Sequence, residues 1–212
     1  QLGFSQTPIG TWQVHVPMSS FEWIGETSTN IYAANQYGVL SYDREEQSVL
    51  PLTKVSALSQ TGLTSFECNA KANICIVGYE NGNLDIIRGN NEISNQPAIL
   101  NSQTIGDKSV YDISFLEESI WLATGVGILL LSAETGNVLE YTPVNYLGEN
   151  QKILNIYPLG NSLIFNTPDH IFTTSISTLF TDPSFEIIDI PANTTRIKQF
   201  FEFNNQFYAL YQ

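Results

Sequence analysis

The chain has 212 residues, 42% of them apolar and 14% charged, and its 21 acidic against 8 basic side chains give a formal charge of −13. That apolar share is enough to bury a core, and no apolar run approaches the roughly 20 residues a membrane-spanning helix needs. The eight basic residues are scattered, with no cluster to neutralise a phosphate backbone, which argues against nucleic acid as a partner.

The chain opens on Gln1, and residues 1–8 read as a leader or an extension of the mature N-terminus. "LGFSQTP" suits the neighbourhood of a secretory cleavage site, and equally a plain disordered leader. From residue 9 onward the pattern is of short strands. "IGTWQVHV" (9–16) comes first, then "FEWIGE", "NIYAAN", "GVLSYD" and "SVLPLT". Alternating or short apolar runs rich in Val, Ile, Tyr, Phe and Trp, bounded by turn residues, predict strands rather than helices.

The pattern then repeats. "IYAANQYGVLSYD" (31–43), "CIVGYENGNLDII" (75–87), "IWLATGVGILLLS" (120–132) and "LIFNTPDHIFTTS" (163–175) align, with Gly38, Gly82, Gly127 and His170 at the shared eighth position. The steps between them are 44, 45 and 43 residues, the signature of a repeat array. The third period predicts "VYDISFL" (110–116), "SIWLAT", "GILLLS" and "VLEYTPV" (138–144) as four antiparallel strands. The fourth predicts "ILNIYPL", "SLIFNT", "HIFTTSI" and "FEIIDI". Four strands in about 44 residues is the size of a β-propeller blade. Glycine between second and third strands fits a tight turn with positive φ; at His170 the turn starts instead from Pro168.

The expected fold is therefore all-β, an incomplete propeller over residues 9–212 with four to five blades. First strands near 21–27, 63–69, 110–116 and 153–160 line a common axis, and second strands fall near 31–35, 75–79, 120–124 and 163–167. A fifth copy supplies "IKQFFEFN" (197–204) and "QFYALYQ" (206–212) and no more. The simplest expectation is the N-terminal part of a longer protein, with an aggregation-prone edge at "FYALY" if residues 1–212 stand alone. The alternative is a compact five-bladed ring patched by residues 9–16.

Chemical motifs are sparse. His15 and His170 lie far apart, and no HExxH, paired CxxC or calcium-loop pattern accompanies them. No GxSxG elbow is present, and the glycines of "TGVGIL" sit between strands with no helix to cradle a phosphate. The pairs Glu45–Glu46 and Glu117–Glu118 read as solvated turns rather than acid–base couples. Trp12, Trp23 and Trp121 read as packing between blades, and only an exposed aromatic cluster would suggest a sugar platform. Cys68 and Cys75 flank "NAKANI", a predicted hairpin. They are a candidate disulfide, or else two reduced, half-buried small residues. The expectation is a non-catalytic binding protein with no cofactor and no metal, and no ligand-binding residue can be named.

"PIGTWQVHVP", "GVLSYD", "LSQTGLTSFECN", "VGYENGNLDII", "IGDKSVYDISF" and "GVGILLLSAETGNVLEYTPV", in this order and spacing, resemble the N-terminal propeller of PorZ-like surface proteins of the type IX secretion system of Bacteroidetes. The resemblance is good over residues 8–160. Ala57, where the family favours Gly, and "PMSS" after His15 depart from it. The resemblance implies an exported chain at the cell surface, associated with the outer membrane and without a transmembrane segment. Its implied partners are a PorU-like sortase, other attachment-complex proteins and anionic lipopolysaccharide. A different expectation is the oligosaccharide-sensing periplasmic propeller of a hybrid two-component regulator. A propeller enzyme, a lyase or glycosidase, is a third.

Overall fold

The computed structural model describes Pro17 and residues 20–189, 197–204 and 206–211. Residues 1–8, the predicted strand at 9–16 with Trp12 and His15, and Arg196 lie outside the described residues. Four antiparallel four-stranded meanders follow one another along the chain, and each is a blade. Blade 1 holds β1 (Trp23–Glu26), β2 (Asn30–Asn35), β3 (Gly38–Asp43) and β4 (Val49–Thr53). Blade 2 holds β5 (Leu63–Asn69), β6 (Ile74–Tyr79), β7 (Leu84–Arg88) and β8 (Ile93–Gln96). Blade 3 holds β9 (Val110–Leu116), β10 (Ser119–Thr124), β11 (Gly127–Ser132) and β12 (Val138–Thr142). A hairpin of β13 (Val144–Tyr146) and β14 (Glu149–Gln151) precedes blade 4, which holds β15 (Asn155–Leu159), β16 (Ser162–Asn166), β17 (Ile171–Ser175) and β18 (Glu186–Ile188). The final pair, β19 (Ile197–Phe203) and β20 (Gln206–Tyr211), is a two-stranded sheet.

Side chains alternate across a strand, and this explains why the second strands are apolar on both faces. On β6, Ile74 and Ile76 point into a cluster with Ile120, Leu122 and Leu131 of blade 3. Cys75, Val77 and Tyr79 point the other way, into a cluster with Tyr32, Ala34 and Val39 of blade 1. β10 repeats the scheme: Ile120 and Leu122 face blade 2, while Trp121 and Ala123 join Leu163, Phe165 and Phe172 of blade 4. Ile164 and Ile171 meet Ile197 and Phe200 in the last cluster. Blades 2, 3 and 4 are thus glued to the sheets on both sides, and blade 1 to blade 2, by side chains whose full burial contributes about 1.5–3 kcal/mol apiece.

The first strands are neighbours in series: β1 lies by β5, β5 by β9, β9 by β15 and β15 by β19, as strands around one axis must. Hydrogen bonds lock adjacent blades near this axis. Thr64 Oγ1 and Ser65 Oγ donate to Val110 O (2.7 and 2.9 Å), and the Ile156 N–H donates to Asp112 Oδ2 (2.9 Å). The Ile153 N–H donates to Thr124 O at 3.0 Å, and the Gly62 N–H to Gln36 O at the same distance.

Three expectations need correction. The run 138–144 is not one strand, because β12 ends at Thr142 and β13 starts at Val144. Pro143 between them has no N–H to continue the ladder with β11, and the chain departs into the added hairpin. "FEIIDI" supplies only the short β18. Of the three aligned glycines, Gly82 and Gly127 have positive φ (82° and 136°), whereas Gly38 does not.

Candidate functional site: the axial channel

The first strands surround a channel that opens in two stretches. At the end where these strands begin, a cavity of ≈ 620 Å³ is lined by residues from the four blades and the final two-stranded sheet, among them Trp23, Thr64, Tyr111, Asn155 and Lys198. That volume falls within the ordinary range of ligand sites. One to four residues further along the same strands, a narrower stretch of ≈ 330 Å³ is lined by Glu67, Asp112, Ser114, Tyr157, Gln199 and Glu202. First strands running side by side in one direction explain the sorting, since equivalent positions fall at equivalent depths.

The inner stretch is acidic, and among the described residues neither lysine nor arginine lines it. Partial desolvation at the channel wall raises the Glu67 pKa to about 7 although the side chain stays exposed to the channel, against a weaker lowering by the Cys68 backbone N–H. Burial likewise raises Asp112 to about 7; hydrogen bonds from the Ile156 and Ile113 N–H groups lower it, and the Glu67 charge raises it. Among the described residues no group of three or more His, Cys, Asp or Glu has the geometry to hold a metal ion.

The outer mouth has a different character. Trp23 and Tyr111 are half-exposed there. The Tyr111 ring is held in place from two sides: its hydroxyl donates to Asp107, and Lys152 Nζ lies 5.7 Å from the ring centroid. Burial pushes the Tyr111 hydroxyl up, to about 12, and the hydrogen bond to Asp107 adds to it. Burial also pushes Asp107 up, but hydrogen bonds from Tyr111 and Ser109 and the Lys152 charge outweigh it, so its pKa is lowered and it stays ionised. Glu22 is the carboxylate that lines the mouth itself.

The remaining singled-out residues do not converge. His170 sits against Tyr146 (5.0 Å) and Phe172 (5.7 Å), in a turn closed by the Thr167 N–H donating to His170 O. Trp121 is buried between blades 3 and 4 and stacks on Phe180 at 6.0 Å. Glu45 and Glu46 lie in an exposed turn where both N–H groups donate to Asp43 Oδ1, and Glu117 and Glu118 lie in another. Cys68 and Cys75 are joined in a disulfide between directly opposed positions of β5 and β6. Cys68 borders the channel, and Gly25 of β1 packs so close that a Cβ there would lie 2.6 Å from the sulfur. Of the channel residues, the sequence singled out Trp23, read there as packing between blades, and Cys68, read as a candidate disulfide partner, and neither as part of a channel. The available signal was a set of polar side chains, Thr64, Glu67, Asp112, Gln199 and Glu202, inside strands that are otherwise apolar.

Serial blades around a ligand-sized axial channel define a β-propeller domain. Residues 31–185 match the N-terminal β-propeller domain of PorZ of the type IX secretion system, and the chain belongs to that family. A solved structure of PorZ from Porphyromonas gingivalis, described as an essential bacterial surface component of that system, is similar at 20% identity and TM-score 0.67, over 84% of this chain and 24% of that one. The extracellular domains of two putative hybrid two-component systems from B. thetaiotaomicron are similar at 16% and 15% identity. Their TM-scores are 0.63 and 0.66, over 92% of this chain and 26% and 27% of theirs. The chain thus spans about a quarter of the length of each, and at these identities the likeness establishes the fold. No curated protein matches the sequence.

Proposed function

We propose that this propeller is a non-catalytic binding and scaffolding part of the type IX secretion attachment complex. In this reading it is exported, held at the cell surface in association with the outer membrane, and presents anionic lipopolysaccharide to a PorU-like sortase for joining to secreted cargo. The observation that carries the reading is the family match over residues 31–185. The P. gingivalis relative, a surface component of the same system, supports it, and among the described residues no helix is long and apolar enough to cross a membrane.

Deleting the gene in its own bacterium tests this. Cargo should leave the cell without its lipopolysaccharide anchor and accumulate in the medium, and complementation should restore attachment. Fully anchored cargo in the deletion strain would refute the reading. A sensor reading draws on the likeness to the two-component extracellular domains. It requires a transmembrane helix and a kinase in the same open reading frame, which sequencing that frame decides.

A further inference from the structure

We infer that the outer mouth of the axial channel is a saccharide site that holds one acidic sugar residue against Trp23 and Tyr111. The inference rests on the proposed glycan-binding role for the identity of its ligand; the location rests on the cavity. A sugar ring offers an apolar C–H face to an aromatic ring and hydroxyls to polar groups around it. The mouth supplies both kinds of partner. Trp23 and Tyr111 are half-exposed, in contrast to the buried Trp121, while Thr64, Asn155 and the Glu22 carboxylate line the same cavity of ≈ 620 Å³.

Charge places the acidic group. Only 8 of 212 residues are basic, yet Lys198 lines this mouth and Lys152 reaches over the Tyr111 ring beside it. Both side chains are exposed, and among the described residues neither forms a salt bridge. Deeper in the channel Glu67, Asp112 and Glu202 face the axis, with no lysine or arginine beside them among the described residues of the wall. Lys198 and Lys152 share the rim with the carboxylates Glu22 and Asp107, so an acidic group finds cationic partners there only on the lysine side, and the interior offers it none among the described residues. The saccharide seats at the mouth and does not thread through. Tyr111, fixed by Asp107 and Lys152, gives the platform a set orientation before ligand arrives, which lowers the ordering cost of binding.

Calorimetry on the full chain tests the site, with delipidated anionic polysaccharide from a type IX-secreting bacterium as probe and neutral dextran as control. The anionic probe should bind and dextran should bind far more weakly. Trp23→Ala should weaken binding roughly tenfold through the lost stacking surface. Lys198→Glu, at an exposed position that leaves folding intact, should weaken it by at least about fivefold at low ionic strength, with the difference fading in about 0.5 M salt. Unchanged affinity in Lys198→Glu, with a native melting curve, overturns the mouth as the site while leaving the glycan reading standing. No binding of the probe by the unaltered chain overturns both.

Discussion

β6 and β20 are both six-residue strands, "ICIVGY" and "QFYALY", and both are rich in apolar side chains. Every residue of β6 is buried, whereas β20 leaves Leu210 and Tyr211 more than half exposed. The difference is not composition but position. β6 has β5 and β7 at its two edges and blades 1 and 3 on its two faces. β20 has only β19 beside it among the described strands, and Phe201 stacked on Tyr208 forms an aromatic patch on the surface. In a propeller, apolarity becomes core only where a neighbouring blade covers it.

Blade 2 also carries buried polar fastenings, and breaking them sharpens the contrast. The largest effect is expected at Asp85. This fully buried carboxylate accepts hydrogen bonds from the Tyr79 hydroxyl (2.6 Å), the Ser59 N–H (2.7 Å) and hydroxyl (2.8 Å), and Asn95 Nδ2 (3.0 Å). Asp85→Ala strands these donors and should destabilise the fold by about 3–5 kcal/mol in urea titration. The double substitution Cys68→Ser with Cys75→Ser removes a cross-link that closes a short loop, and should lose about 2 kcal/mol in the same measurement.

The third effect is pH-dependent. Glu67 and Asp112 have pKa values of about 7 in the fold, above the ordinary carboxylate range. A raised carboxylate pKa means that the folded state binds more protons than the unfolded state, so stability falls as pH rises. The contribution is complete below about pH 4, the unfolded value, and is lost by about pH 7 to 8. The melting temperature should therefore drop between pH 5 and pH 8, and Glu67→Gln combined with Asp112→Asn should flatten that drop. An unchanged slope in the double variant would show that the channel carboxylates titrate normally.

The smallest effect on stability is expected at the exposed edge. Leu210→Lys should change unfolding free energy by less than about 0.5 kcal/mol, yet it should reduce self-association measured by light scattering, because a charge on an exposed strand edge opposes pairing with another chain. A loss comparable to that of Asp85→Ala would mean that β20 is covered by structure beyond the described residues.

The blades were legible because two constraints act locally and repeat. A second strand sandwiched between neighbours must be apolar on both faces, as "ICIVGY" and "SIWLAT" are, and the turn after it favours glycine, as at Gly82 and Gly127. The β13–β14 hairpin breaks the period and so left no repeated mark; Pro143 was its one local sign. The channel was not legible, because its lining is set by how blades arrange around an axis. Trp23 and Trp121 are alike as letters in strands, but one belongs to a first strand at the mouth and the other to a second strand between blades.

That same pair of tryptophans gives the most direct test of the channel mouth as the binding surface. Indole N–H signals of the ¹⁵N-labelled full chain, with Trp23 assigned through Trp23→Phe, should be followed as the anionic polysaccharide is added. The account predicts a progressive shift of the half-exposed Trp23 indole while that of Trp121, buried between blades 3 and 4, stays in place. Saturable binding that leaves the Trp23 signal unmoved would contradict it.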